Sequence, residues 1–363
     1  MKLLKINRKS INKVIINLAV FLITIGVLMV IIEFSLSFIM PPPIKWHSSQ
    51  ARLMNDDELG WKYIPNQKAF HQMNEVKINS LGFRTYEPDN ASDEFRIMVL
   101  GDSVTFGSAI SKNERFSNIL EQKLIKYGIN AKVYNFGVPG YSQYNEKEVL
   151  KRYFNLIDPD LIIVAFIEND IGENYKFNTW NFTLNPRINK QGEFKSGILF
   201  DTIPKYFFNK LRELRFFLLL RNAYENFKRS KNKGVDYRQE LFASSTDYKV
   251  VTEGWNLTNI YFQEMKDFLE DKKAAFMIVN LPLNHVLDYI KINGDKNIGL
   301  LTQIKDIADK NGIIYIDLTG VFFKNYESFD ALYVHYDGHP NRYANKLIAD
   351  NIFIYITENK PII

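Results

Sequence analysis

The chain has no cysteine. That excludes a disulfide framework, thiolate zinc sites and a cysteine nucleophile. It also lacks a strong charge of either sign, with 46 Lys and Arg against 41 Asp and Glu and a net +5 over 363 residues. Lys2, Lys5, Arg8, Lys9 and Lys13 account for much of that excess. The remainder is close to neutral, so no nucleic-acid surface is indicated. Internal repeats and low-complexity tracts are absent. Histidine is scarce, at five residues. What the chain does have is apolar substance: 46% hydrophobic and 14% aromatic residues, enough for a real core.

The longest apolar run is Val14–Ile32, VIINLAVFLITIGVLMVII, which holds no charge. As a helix it is about 28 Å long, enough to cross a bilayer core with little tilt. Basic residues lie only before it and Glu33 follows it. The positive-inside rule then leaves the N-terminus in the cytoplasm and everything after Met40 outside. A cleaved signal peptide is the rival, but its apolar region is normally ~7–15 residues, and Ser35-Leu-Ser37 is a poor cleavage site. A single-pass anchor in the cell membrane is expected, followed by a stiff Pro41-Pro42-Pro43 exit.

Residues 1–43 are thus read as cytoplasmic tip, anchor and linker, 44–94 as a polar, turn-rich lead-in, and 95–363 as the main domain. Phe95–Leu100, Lys132–Phe136, Leu161–Ile167, Ala274–Asn280 and Ile313–Asp317 are short apolar runs that suit buried strands. Asn113–Tyr127, Tyr144–Ile157 and Asn345–Tyr355 carry apolar residues at helical spacing. Strands alternating with helices predict a parallel sheet covered on both faces. An irregular insertion interrupts the pattern at about 171–252. It contains a basic, apolar helix candidate, Lys205–Lys231, read as a cap helix in preference to a lid or membrane-surface helix.

Four motifs carry chemistry. Gly101-Asp102-Ser103 follows the first strand, where open parallel sheets bind ligands. A serine there, opening a helix, points its hydroxyl toward the cleft. Its surroundings are not the G-x-S-x-G elbow, so an α/β-hydrolase fold is not indicated. Asn135-Phe-Gly137-Val-Pro-Gly140 follows the second strand and lets backbone N–H groups approach a ligand, without the G-x-G-x-x-G spacing of a dinucleotide site. Glu168-Asn169-Asp170 follows the third strand and offers a side-chain amide. His335-Tyr-Asp337-Gly-His339 puts two histidines around one aspartate. A neutral imidazole suits a serine hydroxyl as base, and a nearby carboxylate orients it. If that stretch were extended, His335, Asp337 and His339 would face one way, as three metal ligands might. Each motif also has an ordinary structural reading as a cap or turn.

Together these residues resemble the SGNH (GDSL-type) hydrolase superfamily, from about Phe95 to the C-terminus. The resemblance implies a flavodoxin-like three-layer α/β/α sandwich, here preceded by one N-terminal transmembrane helix. It implies Ser103 as nucleophile, His339 as base and Asp337 as its partner. Ser103, Gly140 and Asn169 would form the oxyanion hole, with no metal or organic cofactor. Two features depart from the family pattern. Ile167 replaces the glycine of G-x-N-D, and Asp337 and His339 are spaced D-x-H rather than D-x-x-H. The shorter spacing resembles acyltransfer relatives acting on exopolysaccharides. The expected function is a serine esterase acting on an extracytoplasmic acylated carbohydrate or small ester. An O-acyltransferase is the alternative. A metal-dependent hydrolase built on His335, Asp337 and His339, and a non-catalytic glycan-binding scaffold, are lesser readings. No nucleic-acid partner is expected, and the sequence sets no oligomeric state.

Overall fold

The computed structural model describes residues 8–40, 43, 45, 49–89, 93–179, 213–220, 223, 249–293, 299–335 and 337–358. Backbone contacts divide the chain into two compact units, one comprising Met1–Trp46 with Thr202–Lys233 and the other His47–Asp201 with Gly234–Ile363.

The first unit is built on helix α1, Arg8–Leu36. Its stretch Asn12–Leu36 has a mean hydropathy of 2.9 and is entirely unburied. By length and composition it is a candidate membrane span or signal sequence. Near its end, the Glu33 carboxylate accepts the backbone N–H groups of Arg215 and Phe216 at 3.0 and 3.1 Å. Arg215 Nε donates to the Met40 carbonyl at 3.0 Å. Residues 215–220 form a short helical turn. The rest of the Lys205–Lys231 helix candidate lies outside the described residues, Glu213, Leu214 and Ala223 excepted.

The second unit begins with two antiparallel hairpins. Strands β1 (Leu53–Asp56) and β2 (Gly60–Tyr63) form one, and β3 (Lys68–His71) and β4 (Asn74–Lys77) the other. Five parallel strands follow: β5 (Phe95–Leu100), β6 (Ala131–Asn135), β7 (Leu161–Phe166), β8 (Ala275–Asn280) and β9 (Ile314–Asp317). Their order across the sheet is β6-β5-β7-β8-β9. Counting from the first sheet strand this is 2-1-3-4-5, the flavodoxin-like arrangement. The helices between and after them are α2 (Ser103–Phe106), α3 (Phe116–Tyr127), α4 (Gln143–Ile157), α5 (Asn169–Thr179), α6 (Lys249–Leu269), α7 (Asn284–Asn293), α8 (Gly299–Lys310), α9 (Thr319–Lys324), α10 (Phe329–Leu332) and α11 (Arg342–Glu358).

Side chains alternate across each strand, and both faces are dry. Met98 and Leu100 of β5, with Ile162, Val164 and Phe166 of β7, join Trp255 and Phe262 of α6 on one side. Ile97, Val99, Leu161, Ile163 and Ala165 join Leu120 of α3 and Ile348 of α11 on the other. Burial on both faces explains why these strands read as unbroken apolar runs. The fold is thus the predicted three-layer α/β/α sandwich.

The lead-in packs as part of this unit. Leu53, Leu59, Trp61, Tyr63, Val76 and Phe83 are buried in the first apolar cluster. Trp61 stacks on Phe177 with ring centroids 5.4 Å apart.

Candidate active site

Three loops leave the ends of the adjacent strands β6, β5 and β7 and carry Gly140, Ser103 and Asn169, while Asp337 and His339 lie in a turn before α11. At the end of β5 the chain turns at Gly101, whose φ is 155°. A Cβ there would meet Thr105 Oγ1 at 2.2 Å, so only glycine fits. Asp102 then caps α2, its Oδ1 accepting the Val104 N–H at 2.8 Å. Ser103 opens the helix, and its hydroxyl donates to Asp102 Oδ2 at 3.0 Å. The same carboxylate also attracts the Ser103 N–H. A four-residue helix has several orphan carbonyls at its end. The buried Arg84 guanidinium meets them, donating to the carbonyls of Phe106, Gly107 and Ile110 at 3.1, 3.0 and 3.3 Å.

The loop after β6 is pressed against α2. Asn135 donates to the Thr105 carbonyl at 2.7 Å. Gly137 approaches so closely that a Cβ would lie 2.3 Å from the Phe106 nitrogen. Gly140 sits at φ 83°, and its N–H has no hydrogen-bond partner among the described residues. Trp61 steadies the loop from β2, donating to the Pro139 carbonyl at 3.3 Å and accepting from the Tyr141 hydroxyl.

After β7, Asn169 opens α5. Its Oδ1 is buried without a partner among the described residues. Beside it, Glu168 pairs with His285 at 2.7 Å. Asp170 is buried and accepts from Gln143 Nε2 at 2.7 Å.

The last motif forms a turn before α11. The Val334 carbonyl accepts from the N–H groups of Asp337 and Gly338 at 3.1 and 3.0 Å, and Gly338 takes φ 86°. The extended geometry that would align three metal ligands is therefore not adopted. His335 pairs instead with Asp330 at 2.6 Å. Among the described residues, no group of three or more His, Asp or Glu is placed to hold a metal ion. Asp337 Oδ1 makes a short hydrogen bond to His339 Nδ1. Its other oxygen, Oδ2, accepts from Gln72 Nε2 at 2.6 Å.

Electrostatics tie the turn to the serine. Burial disfavours the His339 imidazolium, but the bond and charge of Asp337, joined by the charge of Asp102, outweigh it and raise its pKa above the ordinary value. Asp337 shifts the opposite way. Burial resists its ionisation, yet His339 and Gln72 hold its carboxyl below the usual range. His71, beside Gln72, is pushed down to about 3 by burial and then by the charge of Arg84. It stays neutral, 3.1 Å from Ser108 Oγ. Burial raises Asp102, against the pull of the Val104 N–H and His339. Glu146 and Asp170 are raised well above normal, first by burial and then by the neighbouring carboxylates.

Of the predicted residues, Asp337 and His339 are in direct contact. The Ser103 hydroxyl points to the Asp102 carboxylate rather than to the imidazole, and Asp102 acts on His339 through its charge. Hydrogen bonds of catalytic groups are often long or misaligned in unliganded enzymes.

The family model for GDSL-like lipase/acylhydrolase matches residues 97–352. The chain belongs to this family. As a GDSL-type protein it is an ester-hydrolysing enzyme, and the expected kinship and fold are both borne out. Among solved structures it is similar to one described as TesA, with 11% identity, a TM-score of 0.42, and coverage of 74% of this chain and 99% of that chain. It is also similar to the psychrotrophic esterase EstA from Pseudoalteromonas sp. inhibited by monoethylphosphonate, with 11% identity, a TM-score of 0.37, and coverage of 73% and 98%. A third is the lipase/acylhydrolase from Enterococcus faecalis, with 11% identity, a TM-score of 0.40, and coverage of 72% of this chain and 95% of that chain. Comparison with curated proteins gives no match.

Several residues around the site of this GDSL-type chain carry no local sequence signal. Gln72 and His71 reach Asp337 and His339 from a hairpin some 265 positions earlier, and no local pattern marks them. Asp102 was legible as part of its motif, and its capping role follows from aspartate one residue before a helix. The partners Glu168–His285 and Asp330–His335 join residues whose pairing depends on tertiary contact.

Proposed function

We propose that the enzyme hydrolyses O-acyl esters by a Ser103–His339–Asp337 acyl-enzyme mechanism. The observation that carries this reading is the Asp337–His339 contact, which engages Nδ1 and leaves Nε2 as the basic nitrogen. The Ser103 hydroxyl rotates from Asp102 toward Nε2 when substrate enters. His339 takes the hydroxyl proton as Oγ attacks the ester carbonyl. The imidazolium, stabilised by Asp337, then returns the proton to the departing alcohol. Water, activated by the same imidazole, releases the acid and regenerates the serine.

The N–H groups of Ser103 and Gly140 and the Asn169 amide bind the oxyanion. The Gly140 N–H, unpaired among the described residues, supports that assignment. Losing one such donor costs about 10²–10³ in rate. With α1 as an uncleaved anchor and basic residues before it, the catalytic unit lies outside the cytoplasmic membrane. An acylated envelope carbohydrate or a small ester is then the accessible substrate class.

Ser103→Ala should abolish ester turnover while the protein remains folded by circular dichroism. Wild-type turnover in a folded variant would end this reading. The Asp337-Gly338-His339 spacing favours transfer to a sugar hydroxyl as the second reading. Partition of the acyl-enzyme between water and added glycan separates the two.

A further inference from the structure

The carboxylate of Asp337 has two oxygens, and the second is held by a residue from outside the sheet. Gln72 Nε2 donates to Oδ2 at 2.6 Å, across a sequence separation of 265. Gln72 is 4% exposed, and it stands in the turn joining β3 to β4. Its φ of 56° is a left-handed backbone that a side chain such as glutamine rarely adopts. The Gln50 amide clamps both polar groups of that peptide. Its Oε1 accepts the Gln72 N–H at 2.9 Å, and its Nε2 donates to the Gln72 carbonyl at 2.9 Å. A strained backbone, doubly pinned, presents one amide donor to one carboxylate oxygen. Such strain persists only where surrounding contacts enforce it.

The turn carrying Asp337 gives the carboxylate little support of its own. Gly338 separates it from His339 and takes a positive φ, and among the described residues the other groups bonded to it are the Nδ1 and, at 3.4 Å, the N–H of His339.

We propose that Gln72 is a positioning residue that fixes the Asp337 carboxylate so that Oδ1 meets His339 Nδ1, making the β3–β4 hairpin part of the active site. This rests on the Ser103–His339–Asp337 reading above. The groups facing the dyad are few. Asp337 meets Gln72, His339 and the neutral His71, and His339 meets Asp337, Asp102 and His71. Gln72 therefore supplies an uncharged side-chain donor on Oδ2 that opposes rotation of the carboxylate without competing for its charge.

The test is a double-mutant cycle on the full chain, with kcat and KM measured on a short-chain aryl ester. Gln72→Leu removes the donor at similar volume, and Gln72→Asn keeps an amide that tolerates the left-handed backbone but falls short of Asp337. Each should lower kcat about ten-fold, the usual scale of one hydrogen bond to a charged group, with KM nearly unchanged. In an Asp337→Ala background the same substitutions should have no further effect on kcat, because their partner is gone. Unchanged kcat in a folded Gln72→Asn protein, or an equal loss with and without Asp337, would overturn the proposal. Wild-type kcat in Asp337→Ala alone would instead overturn the catalytic reading, so the two failures are distinguishable.

Discussion

Asp337→Asn tests the dyad with almost no change in shape. The carboxylate meets two side chains, His339 Nδ1 through Oδ1 and Gln72 Nε2 through Oδ2. An asparagine has one accepting end. If its oxygen stays on Gln72, its NH2 faces Nδ1, the imidazole is held with its proton on Nε2, and the base is lost. If its oxygen turns to Nδ1, the NH2 meets the Gln72 NH2 and one contact breaks. The imidazolium also loses its neighbouring charge in either case. A fall in kcat of about 10²–10⁴ is expected, the range for a lost general base or a wrong tautomer. The pH profile should move as well. Wild-type His339 has a raised pKa, so the base is lost as pH falls through a value above the ordinary ~6.5. Without Asp337, burial is opposed only by Asp102, and the acid limb shifts to lower pH. Ester turnover from pH 4.5 to 9 reads both effects. Wild-type kcat, or an acid limb that stays in place, would refute the reasoning.

Arg84→Met should leave the three carbonyls ending α2 without their buried donor. The expected destabilisation is about 2–4 kcal/mol, checked by urea unfolding. Gly137→Ala drives a Cβ against the backbone of α2 at 2.3 Å. It should cost about 1–3 kcal/mol and lower kcat, since α2 carries Ser103. Glu146 is buried with a raised folded pKa, so its contribution to stability worsens as pH rises above the unfolded value of ~4.3. Glu146→Gln should therefore raise the melting temperature at pH 7 and have little effect at pH 4. An uncleaved α1 anchor, as proposed, predicts that full-length protein stays in the membrane pellet after an alkaline carbonate wash and is released by detergent.

The sheet was legible because its strands are buried on both faces. Phe95–Leu100 was placed to the residue, and the other four to within one at each end. The helix at Phe116–Tyr127 starts three residues later than its periodicity suggested, because Lys112–Glu114 forms a separate 3-10 turn closed by a Ser111–Glu114 capping box. The lead-in hairpins escaped notice. Their strands are four residues long, and LMND and NEVK carry too few apolar residues to alternate visibly. Helix α6, Lys249–Leu269, begins at the edge of the irregular insertion and is not among the expected helices.

The site divides along the same line. Ser103, Gly140 and Asn169 sit in motifs that follow strand ends, where topology alone gathers ligand contacts, and Asp337 and His339 sit in a compact motif before the last helix. Gln72, Arg84 and Trp61 serve those motifs from the lead-in, and their roles exist only after the chain has folded. Arg84 looks like any basic residue in a turn-rich segment until its guanidinium is seen on the carbonyls of α2. Equally, His335 looked equivalent to His339 in sequence. The turn at Val334 separates them, sending one to Asp330 and the other to Asp337.

Covalent labelling with an aryl phosphonate, followed by peptide mapping, tests the nucleophile most directly. A single adduct on Ser103, formed more slowly as pH falls below the His339 transition, is the expected result. An adduct on another residue, or none in folded protein that still turns over ester, would contradict it.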